Sequence, residues 1–225
     1  MTIHLAGDST VAPAKHDESP LTGWGEYLGE CVPDPVVNHA IGGATSQSFT
    51  TEGRWGRLLE QVEPADWVLI QFGHNDQKEP LALAADGGYR RRLAGFVNDV
   101  REKGAVPVLL TSPERRLFDG IRLRSSHGGY PHTVRELGRE LDVPVIDLTV
   151  FTAWLYEWLG PDASRGLFVH LAPGEWPAWP DGAEDNTHFR PEGARAIAEF
   201  VGRSIGALRQ DGRDVAALGV WARQP

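Results

Sequence analysis

Short, unbroken apolar runs punctuate the chain at intervals. They fall at residues 3–6, 36–38, 66–72, 106–110 and 143–148. The clearest places Trp67, Val68, Leu69 and Ile70 in succession. Runs of this length without polar alternation suit strands covered on both faces, as in a parallel sheet. Between them the period lengthens. Residues 89–103 carry Leu93, Phe96, Val97 and Val100 on one helical face, and Gly104 supplies a stop. Residues 131–141 open on Pro131, which a first helical turn tolerates. Residues 191–208 bring Ala194, Ile197, Ala198 and Val201 to one face. Shorter helices are expected at 24–31 and 54–61, and irregular loops at 114–129 and 169–184. Alternation of strand and helix predicts a three-layer α/β/α sandwich around a mostly parallel sheet. No repeat or linker divides the chain, so residues 1–225 are expected to form one domain.

Composition narrows the partners more than the fold. Hydrophobic residues make up 41% and charged residues 24%, which is ordinary globular usage and argues against a disordered chain. The net charge of −9 argues against nucleic acid as the main partner, because phosphate binding rests on Lys and Arg. Cys31 is the single cysteine, so no intrachain disulfide can form, and it reads as a packing residue. No stretch approaches the roughly 18 apolar residues that span a bilayer. No signal-peptide pattern precedes the first run, so a cytoplasmic protein is expected.

Four short blocks carry candidate chemistry. Gly7-Asp8-Ser9-Thr10 follows the first run, where a parallel strand would deliver a hydroxyl to the sheet's functional edge. Read alone, it is an Asp/Ser turn or a helix cap. Asn38 to Ser46 follows the second run and contains Gly42 and Gly43, which let a backbone N–H approach a ligand closely. Alone it is a plain strand-to-helix turn. Gln71 to Asp76 ends the third run, and the Asn75 amide is a donor suited to a negative oxygen; an Asx turn is the equal alternative. Asp185-Asn186-Thr187-His188-Phe189 precedes the last helix. A turn-like conformation there lets the Asp185 carboxylate reach the His188 ring, the orienter and base of a catalytic triad. Together the blocks supply a hydroxyl, a base, its orienter and oxyanion donors at one sheet edge.

In order and content these blocks resemble those of the SGNH (GDSL-like) hydrolases. The resemblance implies a flavodoxin-like, five-stranded version of the α/β sandwich. It implies Ser9 as nucleophile, His188 as base and Asp185 as its partner, with the oxyanion hole formed by Ser9, Gly43 and Asn75. Gly-His-Asn-Asp at 73–76, His127-Gly128-Gly129-Tyr130-Pro131 and the closing 184–189 block are similar to the rhamnogalacturonan acetylesterase branch. That likeness runs from Thr2 to about Ile205 and implies an acetylated carbohydrate substrate, most specifically pectic rhamnogalacturonan. It implies neither metal nor organic cofactor. The chain departs from many relatives at Ala44, where they carry Arg or Lys.

Further candidates surround this set. His74 and His127 are read as structural or substrate-contacting, and Trp176 and Trp179 as aromatic walls for a sugar ring. Arg122 and Arg124 are candidates for a uronate carboxylate, with a solvated loop the equal alternative. Trp154 and Trp158 read as packing residues. A zinc site from His74, Asp76 and His188 lacks the usual ligand spacing. The alternatives are another acyl hydrolase on the same scaffold (a xylan-type acetylesterase, lysophospholipase or thioesterase) or a carbohydrate-binding protein without activity.

Overall fold

Five of the apolar runs do become strands. In the computed structural model, which describes residues 1–14, 20–177 and 179–211, they pair only in parallel. The strands are β1 (Ile3–Gly7), β2 (Val36–Asn38), β3 (Trp67–Gln71), β4 (Val106–Leu110) and, after a small hairpin of β5 (Phe118–Asp119) and β6 (Arg122–Leu123), β7 (Val145–Ile146). Their order across the sheet is β2-β1-β3-β4-β7, the flavodoxin-like arrangement.

Side chains alternate across the pleat into two cores. Ile3, Leu5, Leu69, Val108 and Leu110 face one side. Ala6, Val68, Ile70 and Leu109 face the other. Helices α1 (Ser46–Thr51), α2 (Arg54–Leu59), α3 (Arg90–Glu102) and α4 (Tyr130–Leu141) cover the second face through Phe49, Trp55, Leu93, Phe96 and Val134. Helices α5 (Leu148–Ala163) and α6 (Pro191–Asp211) cover the first through Leu148, Tyr156, Ile197 and Val201. Among the described residues no helix is long and apolar enough to cross a membrane.

The structure departs from the sequence expectation in several places, the unforeseen α1 and the β5–β6 hairpin inside the expected 114–129 loop among them. Residues 24–31 form two short 3-10 turns, Trp24–Glu26 and Leu28–Glu30, because Gly25 and Gly29 weaken helix propagation. The run 143–148 shortens to β7, since the Asp147 side chain accepts from Val150 N–H and starts α5. That helix was missed because it is apolar on several sides and so lacks a one-sided period. Its Trp154 and Trp158, expected to pack inside, are 47% and 71% exposed. Finally, 169–184 is not all loop. Strand β8 (Phe168–Leu171) pairs antiparallel with β9 (Ala183–Phe189).

Candidate active site

The first block sits at the C-terminal end of β1, on a turn closed by Ala12 N–H donating to Asp8 O at 2.9 Å. A buried chain of polar groups fixes this turn. Trp24 Nε1 donates to Gln71 Oε1 at 2.8 Å, and Gln71 Nε2 donates to Thr10 Oγ1 at 2.6 Å. Thr10 Oγ1 in turn donates to Asp8 Oδ1 at 2.8 Å. Buried polar groups hold a conformation firmly when each finds a partner. Ser9 is left half-exposed on a turn whose neighbours cannot rotate.

The second and third blocks are tied to each other. Asp76 Oδ1 accepts from Ser46 N–H at 3.0 Å, and Asp76 Oδ2 accepts from Gly73 N–H at 3.1 Å. Asn75 Nδ2 donates to Ala44 O at 3.0 Å, and Lys78 Nζ donates to Asn75 Oδ1 at 2.8 Å. These two contacts fix which end of the amide is nitrogen and leave one Nδ2 hydrogen uncommitted. Gly43 adopts φ +78°, a left-handed conformation that favours glycine. Ala44 is buried in the second core, and its carbonyl is what orients Asn75. A side-chain atom built on Gly42 would lie 3.9 Å from Ser9 Cβ, so this loop runs beside Ser9.

The fourth block lies in β9, but not in its ladder. Phe168 pairs with Phe189 and His170 with Glu184, so residues 185–188 bulge away from β8. Within the bulge, Asp185 Oδ1 accepts from Thr187 N–H at 2.7 Å and His188 N–H at 3.0 Å. The turn-like conformation expected from sequence is therefore present inside a strand. His188 Nδ1 donates to Asp185 Oδ2 at 2.6 Å, and Ser9 Oγ lies 3.0 Å from His188 Nε2. Burial alone would raise the Asp185 carboxyl, but the hydrogen bonds from His188 and Thr187 outweigh it and hold it below its usual value. Asp185 is thus an acceptor, which makes Nδ1 the protonated nitrogen and leaves the Nε2 lone pair for the Ser9 hydroxyl.

The other candidates are distributed differently. His127 is fully buried, and its ring is already engaged: Nδ1 with Ser126 Oγ at 2.9 Å, Nε2 with His74 Nδ1 at 3.1 Å. His74 is 3% exposed, and burial, with help from His127, holds it neutral. The structure brings neither ring to the surface as a substrate contact; both belong to a buried string anchored on Glu114. Arg122 and Arg124 are exposed on and beside the β5–β6 hairpin. Trp176 and Trp179 are half-exposed in a tight turn of the 172–182 connection, closed by Trp179 N–H to Trp176 O at 2.9 Å. Gln71, Glu114, Arg116 and Asn186 carry no local signal of their roles, although Gln71 opens the third block and Asn186 sits inside the fourth; their importance comes from partners far away in sequence.

Comparison with known proteins identifies the family. Residues 5–196 match the GDSL-like Lipase/Acylhydrolase family. The rhamnogalacturonan acetylesterase RhgT of Bacillus subtilis is 46% identical over 92% of this chain and 90% of its own length. A rhamnogalacturonan acetylesterase of Emericella nidulans is 44% identical over 91% of this chain and 84% of its own. The structure of YxiM from Bacillus subtilis superposes with a TM-score of 0.77 at 25% identity; 94% of this chain is covered, and it spans 56% of that one. The fold is also that of Axe2, an acetylxylan esterase from Geobacillus stearothermophilus, with a TM-score of 0.63 at 21% identity over 91% of this chain and 94% of that one. The chain belongs to the GDSL-like lipase/acylhydrolase family and is a carboxylic ester hydrolase.

Proposed function

We propose that this protein removes O-acetyl groups from acetylated rhamnogalacturonan, using Ser9 as nucleophile, His188 as general base and Asp185 as its orienter. The observation that carries the reading is the continuous chain from Ser9 Oγ to His188 Nε2 at 3.0 Å and from His188 Nδ1 to Asp185 Oδ2 at 2.6 Å. In this reading His188 takes the Ser9 proton as the oxygen attacks the acetyl carbonyl. The resulting imidazolium is stabilised by the Asp185 carboxylate. The oxyanion is held by the N–H groups of Ser9 and Gly43 and by the uncommitted Asn75 amide hydrogen. Removing one such donor typically costs about 10²–10³ in rate. His188 then gives its proton to the departing sugar oxygen, and water, activated by the same base, releases acetate from Ser9.

The 46% identity to RhgT across nearly the whole of both chains supports rhamnogalacturonan as the acetylated polymer. The test is acetate release from acetylated rhamnogalacturonan oligosaccharides and from acetylated xylan, with Ser9→Ala as control. The pectic substrate is expected to be turned over faster, and Ser9→Ala to be inactive on both and on p-nitrophenyl acetate. Equal rates on the two polymers would overturn the substrate. An active Ser9→Ala protein would overturn the triad.

A further inference from the structure

The bulge that carries Asp185 and His188 has lost its ladder partners on β8, so something else must hold it. The contacts converge on Asn186, between the two. Its backbone carbonyl accepts from the Arg116 backbone N–H at 2.8 Å. Its side-chain oxygen accepts from Arg116 Nη1 at 2.8 Å and lies 3.1 Å from His170 Nε2. Arg116 has only donors, so this atom is the amide oxygen, and His170 must carry its proton on Nε2.

The rest of the guanidinium reaches the opposite way. Nε donates to Ser164 Oγ at 3.0 Å, and Nη2 donates to the Pro161 carbonyl. Pro161 follows Gly160, where the backbone leaves helical geometry at φ 76° and ψ 173°. This break in α5 is where the guanidinium finds the Pro161 carbonyl. Among the described residues no carboxylate lies within ion-pair distance of Arg116. Its hydrogen-bond acceptors are all neutral, and the carboxylates of Asp162 and Glu184 act on it only from beyond contact, opposed by Arg165. What the planar fork supplies is several fixed directions at once, which a lysine cannot reproduce.

We propose that Arg116 is a positioning residue for the Asp185–His188 pair, holding their bulge through Asn186 and bracing it against the break in α5. The proposal rests on the triad reading above. Arg116 touches no reacting atom; it sets the backbone from which the base and its orienter project. A displacement of about 1 Å at such a centre can cost about 10²-fold in rate.

The experiment uses the full chain with Arg116→Met, Arg116→Lys and Asn186→Ala. Four quantities are read: kcat and KM on p-nitrophenyl acetate, the rate of Ser9 labelling by a fluorophosphonate, the urea midpoint, and the downfield proton resonance of the His188–Asp185 hydrogen bond. For Arg116→Met, kcat is expected to fall about 10²-fold with KM little changed, which marks loss of a transition-state contribution. Labelling should slow in parallel and the downfield resonance should disappear, in protein that is still folded. Arg116→Lys should recover little. Asn186→Ala, which keeps the arginine, should repeat the kcat loss if Arg116→Met fails to fold. Wild-type kcat in either folded variant overturns the proposal, as does a loss that merely follows the unfolded fraction. If Ser9→Ala is inactive while both variants turn over normally, only the positioning role fails. If Ser9→Ala is active, the triad itself fails.

Discussion

Asp8 is completely buried, yet one of its carboxyl oxygens meets no partner among the described residues. Burial pushes its pKa from 3.8 to about 6, against the pull of the Thr10 hydrogen bonds. Between those values the folded protein holds a proton that the unfolded chain has released. Asp8 therefore lowers stability as pH rises through that window, and its effect is constant above about pH 6. Asp8→Asn removes the buried charge. Its urea midpoint is expected to exceed that of the wild type at pH 7 and to match it at pH 4. A two-unit shift corresponds to about 3 kcal/mol at most. An unchanged midpoint at pH 7 would contradict the burial penalty on the Asp8 carboxylate. Asp8 illustrates what single residues disclose in a sequence. Gly-Asp-Ser is visible as a turn, and its serine stands out once Asn75 and His188 follow in order. That Asp8 is buried, that Gln71 lies between Trp24 and Thr10, and that Arg116 reaches Asn186 are facts about distant pairs. No local pattern encodes them.

Whole elements were legible where one-sided periodicity or an unbroken apolar run is strong. The strands β1, β3 and β4 and the helices α3, α4 and α6 meet that condition, and their ends fall within a few residues of expectation. The two elements that shape the surroundings of His188 do not meet it. Helix α5 mixes core-facing Leu148 and Tyr156 with exposed Val150, Trp154 and Trp158, so its period is blurred. Strand β9 alternates poorly because its middle is a bulge. The break in α5 also yields a prediction of its own. Gly160 has nothing within 4 Å of the position a Cβ would occupy, so Gly160→Ala creates no clash. It forces alanine into a backbone region that is nearly glycine-only, at a cost of about 1–3 kcal/mol. Thermal unfolding should therefore occur at a lower temperature in Gly160→Ala. A wild-type midpoint would mean that the segment relaxes at no cost.

Across the molecule, several imidazoles are held neutral by their surroundings. Burial, reinforced by the neighbouring His4, lowers His39 from 6.5 to about 4. Burial likewise pushes down His74, beside His127, and His170. In that range the unfolded chain binds protons that the native protein refuses, so stability is full above about pH 6.5 and is lost as pH falls toward 4. Asp8 works in the opposite sense over part of the same window. The urea midpoint is expected to drop between pH 7 and pH 5, and to drop more steeply in Asp8→Asn, where the opposing group is gone. A flat profile in both proteins would contradict the burial of these rings. Ser9, Gly43 and Asn75 each end or follow a different parallel strand, whereas Asp185 and His188 share one bulge of β9. The proposed base and its orienter are thus inherited together. An insertion or deletion within those few residues removes both at a stroke. A change of length at the tip of the β5–β6 hairpin lies outside that unit and is expected to leave the pair in place.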